Sequence, residues 1–293
     1  MTINAARKII SLSGPNCSFA NINACRADVV GGSGGTLVFS DNFDSYTSMS
    51  QLVTTGGWIS QGAQQGGAIS LETTGAYSGK SVKGSYPASD ANGEVYVYLM
   101  APFAGGAANE VYISLRAKMP NAKNGCKFVK VYGGNSGGGN YANCTFGTSY
   151  ATPDRGEMYQ VSFGDGSTIG NDTAKVINFN GSGPSLIGRS YGIANVQTPQ
   201  NAPFPSSAWG SDWHLFRLYV KFNSGTTAEN EVPDGAFYVE IDGVVYVNAT
   251  GLFNRHYSNL PIERVGFFNQ SQGNGPAFDL WYDDIQLSTG GWA

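Results

Sequence analysis

The sequence predicts an all-β protein built as a two-sheet antiparallel sandwich, and three observations carry that expectation. Short runs of alternating apolar and polar residues recur from about residue 36 to the C-terminus, and no stretch shows convincing helical spacing. Turn residues separate these runs: glycine alone accounts for 41 of 293 residues, about twice its usual ~7% share. Charged residues are only 13% of the chain, about half the usual ~25%, while aromatics reach 13%. That is enough large apolar surface to build a core, so a disordered chain is excluded.

The elements follow in order. Leu37–Tyr46, read as LVFSDNFDSY, and Phe278–Leu287, read as FDLWYDDIQL, are both short, aromatic and acid-bearing, and are expected to pair and close the sandwich. Glu94–Met100 puts Val95, Val97 and Leu99 on one face and Tyr96 and Tyr98 on the other. Val111–Lys118 turns Val111, Ile113 and Leu115 inward and Tyr112, Ser114 and Arg116 outward. Lys127–Tyr132, Glu157–Phe163 and Lys175–Asn180 are further strands, and residues 181–211 form a long surface excursion rich in Pro, Gly, Ser and Asn. Ser211–Asn223 is the clearest segment, with Phe216, Leu218, Val220 and Phe222 facing Arg217, Tyr219 and Lys221 across the strand. Asp234–Val247 is a hairpin turning at Asp242–Gly243, and Pro261–Asn269 precedes the closing strand.

Residues 1–36 are different in kind. They lack alternation, end in the flexible joint VVGGSGG, and carry Arg7, Lys8 and Arg26 against Asp28. They are expected to form an N-terminal extended docking arm in front of one domain spanning 37–293.

A net charge of −4 excludes binding of nucleic acid through bulk charge. No run of about 18 apolar residues exists, so no membrane-spanning helix is expected. MTINAARKII is followed by SLSGPNCS, where a secretion signal would be apolar. Cys17 with Cys25 and Cys126 with Cys144 can form two local disulfides or remain four free thiols, and their spacing with histidine matches no zinc site.

The segments FSDNFDSY, EVYISLRAKMP, KFVKVYGG, WHLFRLYVKFNS, DGAFYVEIDGVVYV and LWYDDIQLS, in that order, resemble the concanavalin A-like lectin/glucanase superfamily over residues 37–289. The resemblance implies a two-sheet antiparallel jelly-roll sandwich. It admits glucanases, polysaccharide lyases, lectins, and structural or sugar-binding modules of virus particles, because fold alone does not set activity.

Glucanases of this superfamily carry Glu-x-Asp-x-x-Glu, whose retaining chemistry needs two carboxylates about 5 Å apart. Here Glu240-Ile-Asp242-Gly-Val-Val245 lacks the last acid, and Asp242 reads as a hairpin turn, so no glycosidase is expected. A lyase needs a cation for the uronate carboxylate and a base for the α-proton. If the outward strands neighbour one another, Lys130, Tyr132, Arg217 and Tyr219 supply that set. Glycan binding needs only aromatic platforms and polar groups, for which Tyr112, Arg116, Tyr132, Tyr159, Trp209 and Trp213 are the candidates. The alternating tyrosines and Arg116 also read as ordinary solvent-face strand residues, and Trp213 equally as a core residue. His214 shares a face with Phe216 and Leu218, which marks a core or edge histidine rather than a base. The resemblance implies a structural calcium between the first and last strands, for which Asp41, Asp44, Asp283 and Asp284 are placed if those strands pair.

The expected function is a non-catalytic protein of the virion surface, a capsid decoration or tail-associated module with a lectin-like jelly roll that binds glycans. The alternative is a polysaccharide lyase of the same fold, and the location is then extracellular. The expected partners are capsid or tail proteins through residues 1–36, further copies of the chain as a homo-oligomer, and polysaccharide, with no nucleic acid and no membrane.

Overall fold

The computed structural model describes residues 34–88, 95–103, 109–120, 126–133, 158–163, 174–179, 211–222, 224, 232, 234–252, 261–271 and 277–293. Residues 1–33 of the proposed docking arm, the Pro/Gly-rich excursion up to residue 210, Trp209, Cys17, Cys25 and Cys144 lie outside them, whereas Thr36, read as the end of the arm, begins the first strand. The strands are β1 (Thr36–Asp41), β2 (Ser60–Gln64), β3 (Ala68–Glu72), β4 (Ser81–Tyr86), β5 (Val95–Pro102), β6 (Glu110–Lys118) and β7 (Cys126–Gly133). They continue as β8 (Met158–Phe163), β9 (Ala174–Phe179), β10 (His214–Lys221), β11 (Gly235–Ile241), β12 (Val244–Leu252), β13 (Ile262–Ser271) and β14 (Phe278–Thr289). Among the described residues one short helix, α1 (Met49–Thr54), starts at Ser48, whose amide donates to Gln51 Oε1 in a Ser-x-x-Gln capping pattern.

The strands form two antiparallel sheets, one of eight strands in the order β12-β11-β10-β6-β14-β4-β3 with β1 added beside β14, the other of six in the order β2-β5-β13-β7-β8-β9. This is the expected jelly-roll sandwich. The first and last strands pair as the sequence foretold, Thr36 against Thr289 and Asp41 against Ile285. β14 is long enough to serve three neighbours: residues 278–282 pair with β4, residues 285–289 pair with β1, and β6 runs along its other edge.

The two acids in the middle of β14 have a geometric role. Asp283 lies opposite Arg116 and Gln286 opposite Ser114, so β14 carries one extra residue there, and Asp284 takes a positive φ of 45°. A bulge of this kind reverses the facing of every later residue. Phe278, Leu280 and Tyr282 therefore face the core before it, and Ile285 and Leu287 after it, all within 3% of full burial.

The core lies between the sheets. β5, β6 and β10 contribute the inward residues read from their alternation, with Val97, Leu99, Val111, Ile113, Leu115, Phe216, Leu218 and Val220 at 0–1% exposure. Tyr282 ties the sheets together: its ring meets Phe128, Phe267 and Phe268 at 5.1, 5.6 and 4.5 Å, and its hydroxyl donates to the Phe128 carbonyl at 2.7 Å. The hairpin turn is as expected, with Asp242 and Gly243 at φ 49° and 79°, the two positive values a type I′ turn requires.

Candidate functional site

Each sheet turns one face to the core and one away, and the outward faces divide the candidate residues. On the six-stranded sheet, three residues face away from the core yet are almost fully buried: Met100 at 1%, Lys130 at 2% and Arg264 at 3% exposure. The register explains their neighbourhood. Gly266 of β13 lies opposite both Met100 and Lys130, and with no side chain there the lysine stem can lie flat across the strand. Arg264 lies opposite Tyr132, one diagonal step from Lys130. Arg264 Nη2 is 3.3 Å from Glu263 Oε2, an acid that remains partly exposed. Tyr96 and Tyr98 stand half-buried on the same face, and Tyr98 lies across Gly62 of β2, where an added Cβ would fall 2.5 Å from its hydroxyl. Arg264 escaped the sequence reading because a bulge between Ile262 and Arg264 breaks the alternation of β13. Tyr159 sits in β8 with its backbone opposite Val131.

Arg217 and Tyr219 lie on β10 in the eight-stranded sheet, so the four-residue lyase set is divided between two sheets and does not converge. Tyr219 is also committed elsewhere. It stacks on Tyr112 at 4.5 Å and donates to Glu110 Oε2 at 2.9 Å, and burial, followed by the nearby Glu110 charge, drives its phenol pKa far above the ordinary value. Tyr112 is only 4% exposed beneath Tyr219 and the edge of Trp292, so it offers no platform to a sugar. Arg217 pairs with Glu240 at 3.5 Å.

Farther along that sheet the outward face is open and differently built. Lys118 lies between Trp281 and Trp213, 4.4 and 5.0 Å from their ring centres, and its Nζ donates to the Gly75 carbonyl. Trp213 donates from Nε1 to the same carbonyl at 3.2 Å and meets the edge of Tyr77 at 5.9 Å. The Arg116 guanidinium sits 4.7 Å from the centre of the Tyr77 ring. Desolvation lowers the Lys118 pKa.

Three of the four acids read as a calcium site, Asp41, Asp44 and Asp283, accept from protein donors, and Asp284 contributes its amide to Asp283. Asp41 Oδ1 accepts from the Phe43 amide at 2.8 Å, and its Oδ2 accepts from Tyr46 Oη and Trp58 Nε1, both at 2.6 Å. Asp44 Oδ1 accepts from the Lys80 amide at 2.7 Å. Asp283 is fully buried, with Oδ2 accepting from Ser81 Oγ at 2.6 Å and from the Ser78 amide at 3.3 Å, and Oδ1 from the Asp284 amide at 2.8 Å. Burial pushes the Asp283 carboxyl up to about 6. The cation at this seam is a side chain: Lys80 Nζ donates to the carbonyls of Asp44 and Tyr46 at 2.9 and 2.6 Å. The residues as arranged do not fit calcium, which needs several free hard oxygens converging on one point. No cluster of three or more His, Cys, Asp or Glu occurs among the described residues.

The incomplete glucanase pattern is structural. Glu240 is buried and accepts from Tyr238 Oη at 2.6 Å, while Asp242 accepts from the Leu215 amide at 2.9 Å and lies 2.6 Å from His214 Nδ1. The pair ties the hairpin turn to the start of β10, so His214 is an edge histidine, as its strand position implied.

The chain matches no protein-family profile and no curated protein. Its likeness is to solved structures. Alginate lyase Aly36B aligns with a TM-score of 0.52 at 11% identity, over 86% of this chain and 96% of that one. Alginate lyase vAL-1 from Chlorella virus aligns with a TM-score of 0.52 at 14% identity, over 86% and 99%. The cellulose-induced protein Cip1 aligns with a TM-score of 0.52 at 15% identity, over 86% and 97%. The chain has the concanavalin A-like jelly-roll fold, and at such identities the likeness speaks to the fold alone.

Proposed function

We propose that this protein binds a carboxylated polysaccharide on the outward face of its six-stranded sheet, as a lectin-like, non-catalytic module displayed on a virus particle through residues 1–36. The observation that carries the binding is the near-complete burial of Arg264 and Lys130, side by side on a face that is not the core. Two cations gathered on one non-core face are complementary to the carboxylates of an acidic chain. A guanidinium grips a carboxylate through two parallel N–H donors, an ammonium adds a point charge, and Tyr96 and Tyr98 offer ring faces to sugars. The fold is compatible with such a ligand: a variant of Aly36B has been solved with an alginate trisaccharide.

The test is affinity electrophoresis in gels containing alginate or polygalacturonate. The wild type is expected to be retarded, and Arg264→Gln, checked for folding by circular dichroism, is expected to be retarded measurably less. Equal retardation of both proteins would remove the site. Display is checked separately: deleting residues 1–36 is expected to leave a folded domain that no longer joins the particle, and undiminished incorporation would refute it.

One observation favours a second reading, a polysaccharide lyase. Tyr132 lies directly opposite Arg264 in the register, the neighbourhood a base and a carboxylate-neutralising cation would share. In that chemistry the tyrosinate removes the proton α to the neutralised carboxylate, the electron pair forms the new C=C bond, and the glycosidic C–O bond breaks, its oxygen leaving with the proton handed back by the tyrosine. Ultraviolet absorbance from unsaturated uronate, lost in Tyr132→Phe, would establish the lyase over the non-catalytic reading.

A further inference from the structure

The outward face of the eight-stranded sheet carries charge and aromatic surface that the first site does not use. Arg116 and Lys118 both project from β6, and neither has a carboxylate within ion-pair distance among the described residues. Two nearby acids are engaged by other partners. Glu72 pairs with Lys83 at 3.3 Å, and Asp283, opposite Arg116 in the register, is buried with its oxygens taken by Ser81, Ser78 and Asp284. Beside these two cations stands Tyr77, 43% exposed although it lies in a fixed segment. Its amide donates to Ser81 Oγ at 3.1 Å, the next amide donates to Asp283, and its ring is braced by Arg116 and by the edge of Trp213.

A solvent-exposed aromatic held rigidly loses little entropy when a ligand arrives, so this is a pre-organised platform. The cations fix what it accepts. From these observations we infer that Tyr77, Trp213, Arg116 and Lys118 form a second glycan-binding surface, back to back with the first, that takes an acidic sugar chain. The sugar ring lies against the exposed Tyr77, with Trp213 flanking it at an angle, and its carboxylates meet Arg116 and Lys118. Two such faces on opposite sheets let one molecule hold two polymer strands, so the protein binds a polysaccharide network more firmly than an isolated chain.

The surface rests on residues distinct from the Arg264 face, and the test separates them. Retardation in polygalacturonate gels is compared for the wild type, Arg116→Gln/Lys118→Gln, Tyr77→Ala and Arg264→Gln, with dextran gels as the neutral control and thermal unfolding to confirm each fold. The double variant is expected to bind polygalacturonate about tenfold more weakly, at the scale of two partly exposed charge contacts. Tyr77→Ala is expected to weaken binding by about fivefold, the loss of one stacked ring. Retardation that survives Arg264→Gln but falls in Arg116→Gln/Lys118→Gln supports this surface even if the first site is wrong. Undiminished binding by Arg116→Gln/Lys118→Gln and Tyr77→Ala, equal retardation by dextran, or no retardation of the wild type overturns it.

Discussion

Asp41 Oδ2 accepts a 2.6 Å hydrogen bond from Trp58 Nε1, joining the end of the first strand to the largest fully buried side chain of the core. Trp58 in turn packs against Phe39, Phe43 and Phe267 at 4.9, 5.8 and 5.9 Å. The same carboxylate oxygen accepts from Tyr46 Oη, whose pKa is raised by burial and by that acid. One acid therefore satisfies two donors on large aromatics that would otherwise be left without a partner, and fixes where the chain enters the sandwich.

Asp41→Ala is expected to destabilise the fold by about 3 kcal/mol, because a buried donor left unsatisfied costs roughly 1–3 kcal/mol and two are affected. For a domain of this size the midpoint should fall by roughly 8 °C. Asp41→Asn keeps one acceptor oxygen and should lose less. Thermal and urea unfolding measure both, and an unchanged midpoint in Asp41→Ala would remove the clamp.

The ammonium of Lys80 makes a second prediction. It donates to the carbonyls of Asp44 and Tyr46 and so holds the turn after β1 against the loop before β4. Lys80→Met retains the aliphatic stem and removes the donors. It should cost about 1 kcal/mol, since the site is only partly buried. Because a side chain supplies the cation, millimolar calcium or a chelator should shift the wild-type midpoint by less than about 1 °C. A calcium-dependent rise of several degrees, absent in Asp44→Ala, would show that the carboxylates rearrange around a metal.

Asp283 gives the protein a pH dependence of unusual sign. Its carboxyl is raised to about 6 from an unfolded value near 3.8, chiefly by burial. The folded state therefore binds the proton more tightly than the unfolded state. Stability from this group is fully present below pH about 4 and is lost as pH rises through about 6. A shift of this size corresponds to about 3 kcal/mol. Unfolding free energies measured from pH 7 down to pH 4.5 should rise by part of that amount in the wild type, and in Asp283→Asn the rise should vanish. A pH profile that is the same in both proteins would reject the assignment.

Much of the fold is legible in the sequence because its strands alternate cleanly. The inward faces of β5, β6 and β10, the Asp242–Gly243 turn and the pairing of the first strand with the last all follow from the pattern. β2, with the sequence SQGAQ, carries almost no apolar signal, and β4 hides its inward face behind Gly84, so no individual strand stands out between residues 60 and 86. The site is less legible for a related reason. Alternation tells which residues share a face of one strand, not which sheet that strand joins. Arg217 and Tyr132 thus look equivalent in sequence and lie on different sheets. Bulges hide more: those beside Arg264 and Asp284 reset the facing of β13 and β14, and no local pattern announces them. The paired acids DD in β14 accordingly suggest a metal site, where the chain has placed a buried carboxyl and a positive-φ residue.

Gly84 makes the last prediction, and it concerns the contact between the sheets. A Cβ built on Gly84 would lie 2.6 Å from Phe268 Cδ1, 2.9 Å from its Cε1 and 3.1 Å from Val97 Cγ1. Phe268 has little freedom to retreat. Its backbone φ is 70°, a strained value for a non-glycine residue, and its ring is held edge-on to Tyr282 at 4.5 Å. Gly84→Ala should therefore overpack the core and destabilise it by about 1–3 kcal/mol, despite the usual entropic gain of replacing glycine in a strand. Phe268→Leu alone should also destabilise, by leaving a gap beside Tyr282. Combined with Gly84→Ala, the smaller side chain makes room for the new methyl, so the double variant should be more stable than the sum of the two losses by about 1 kcal/mol. Urea unfolding of the four proteins measures that coupling, and strict additivity would mean that Gly84 and Phe268 do not press on each other across the sandwich.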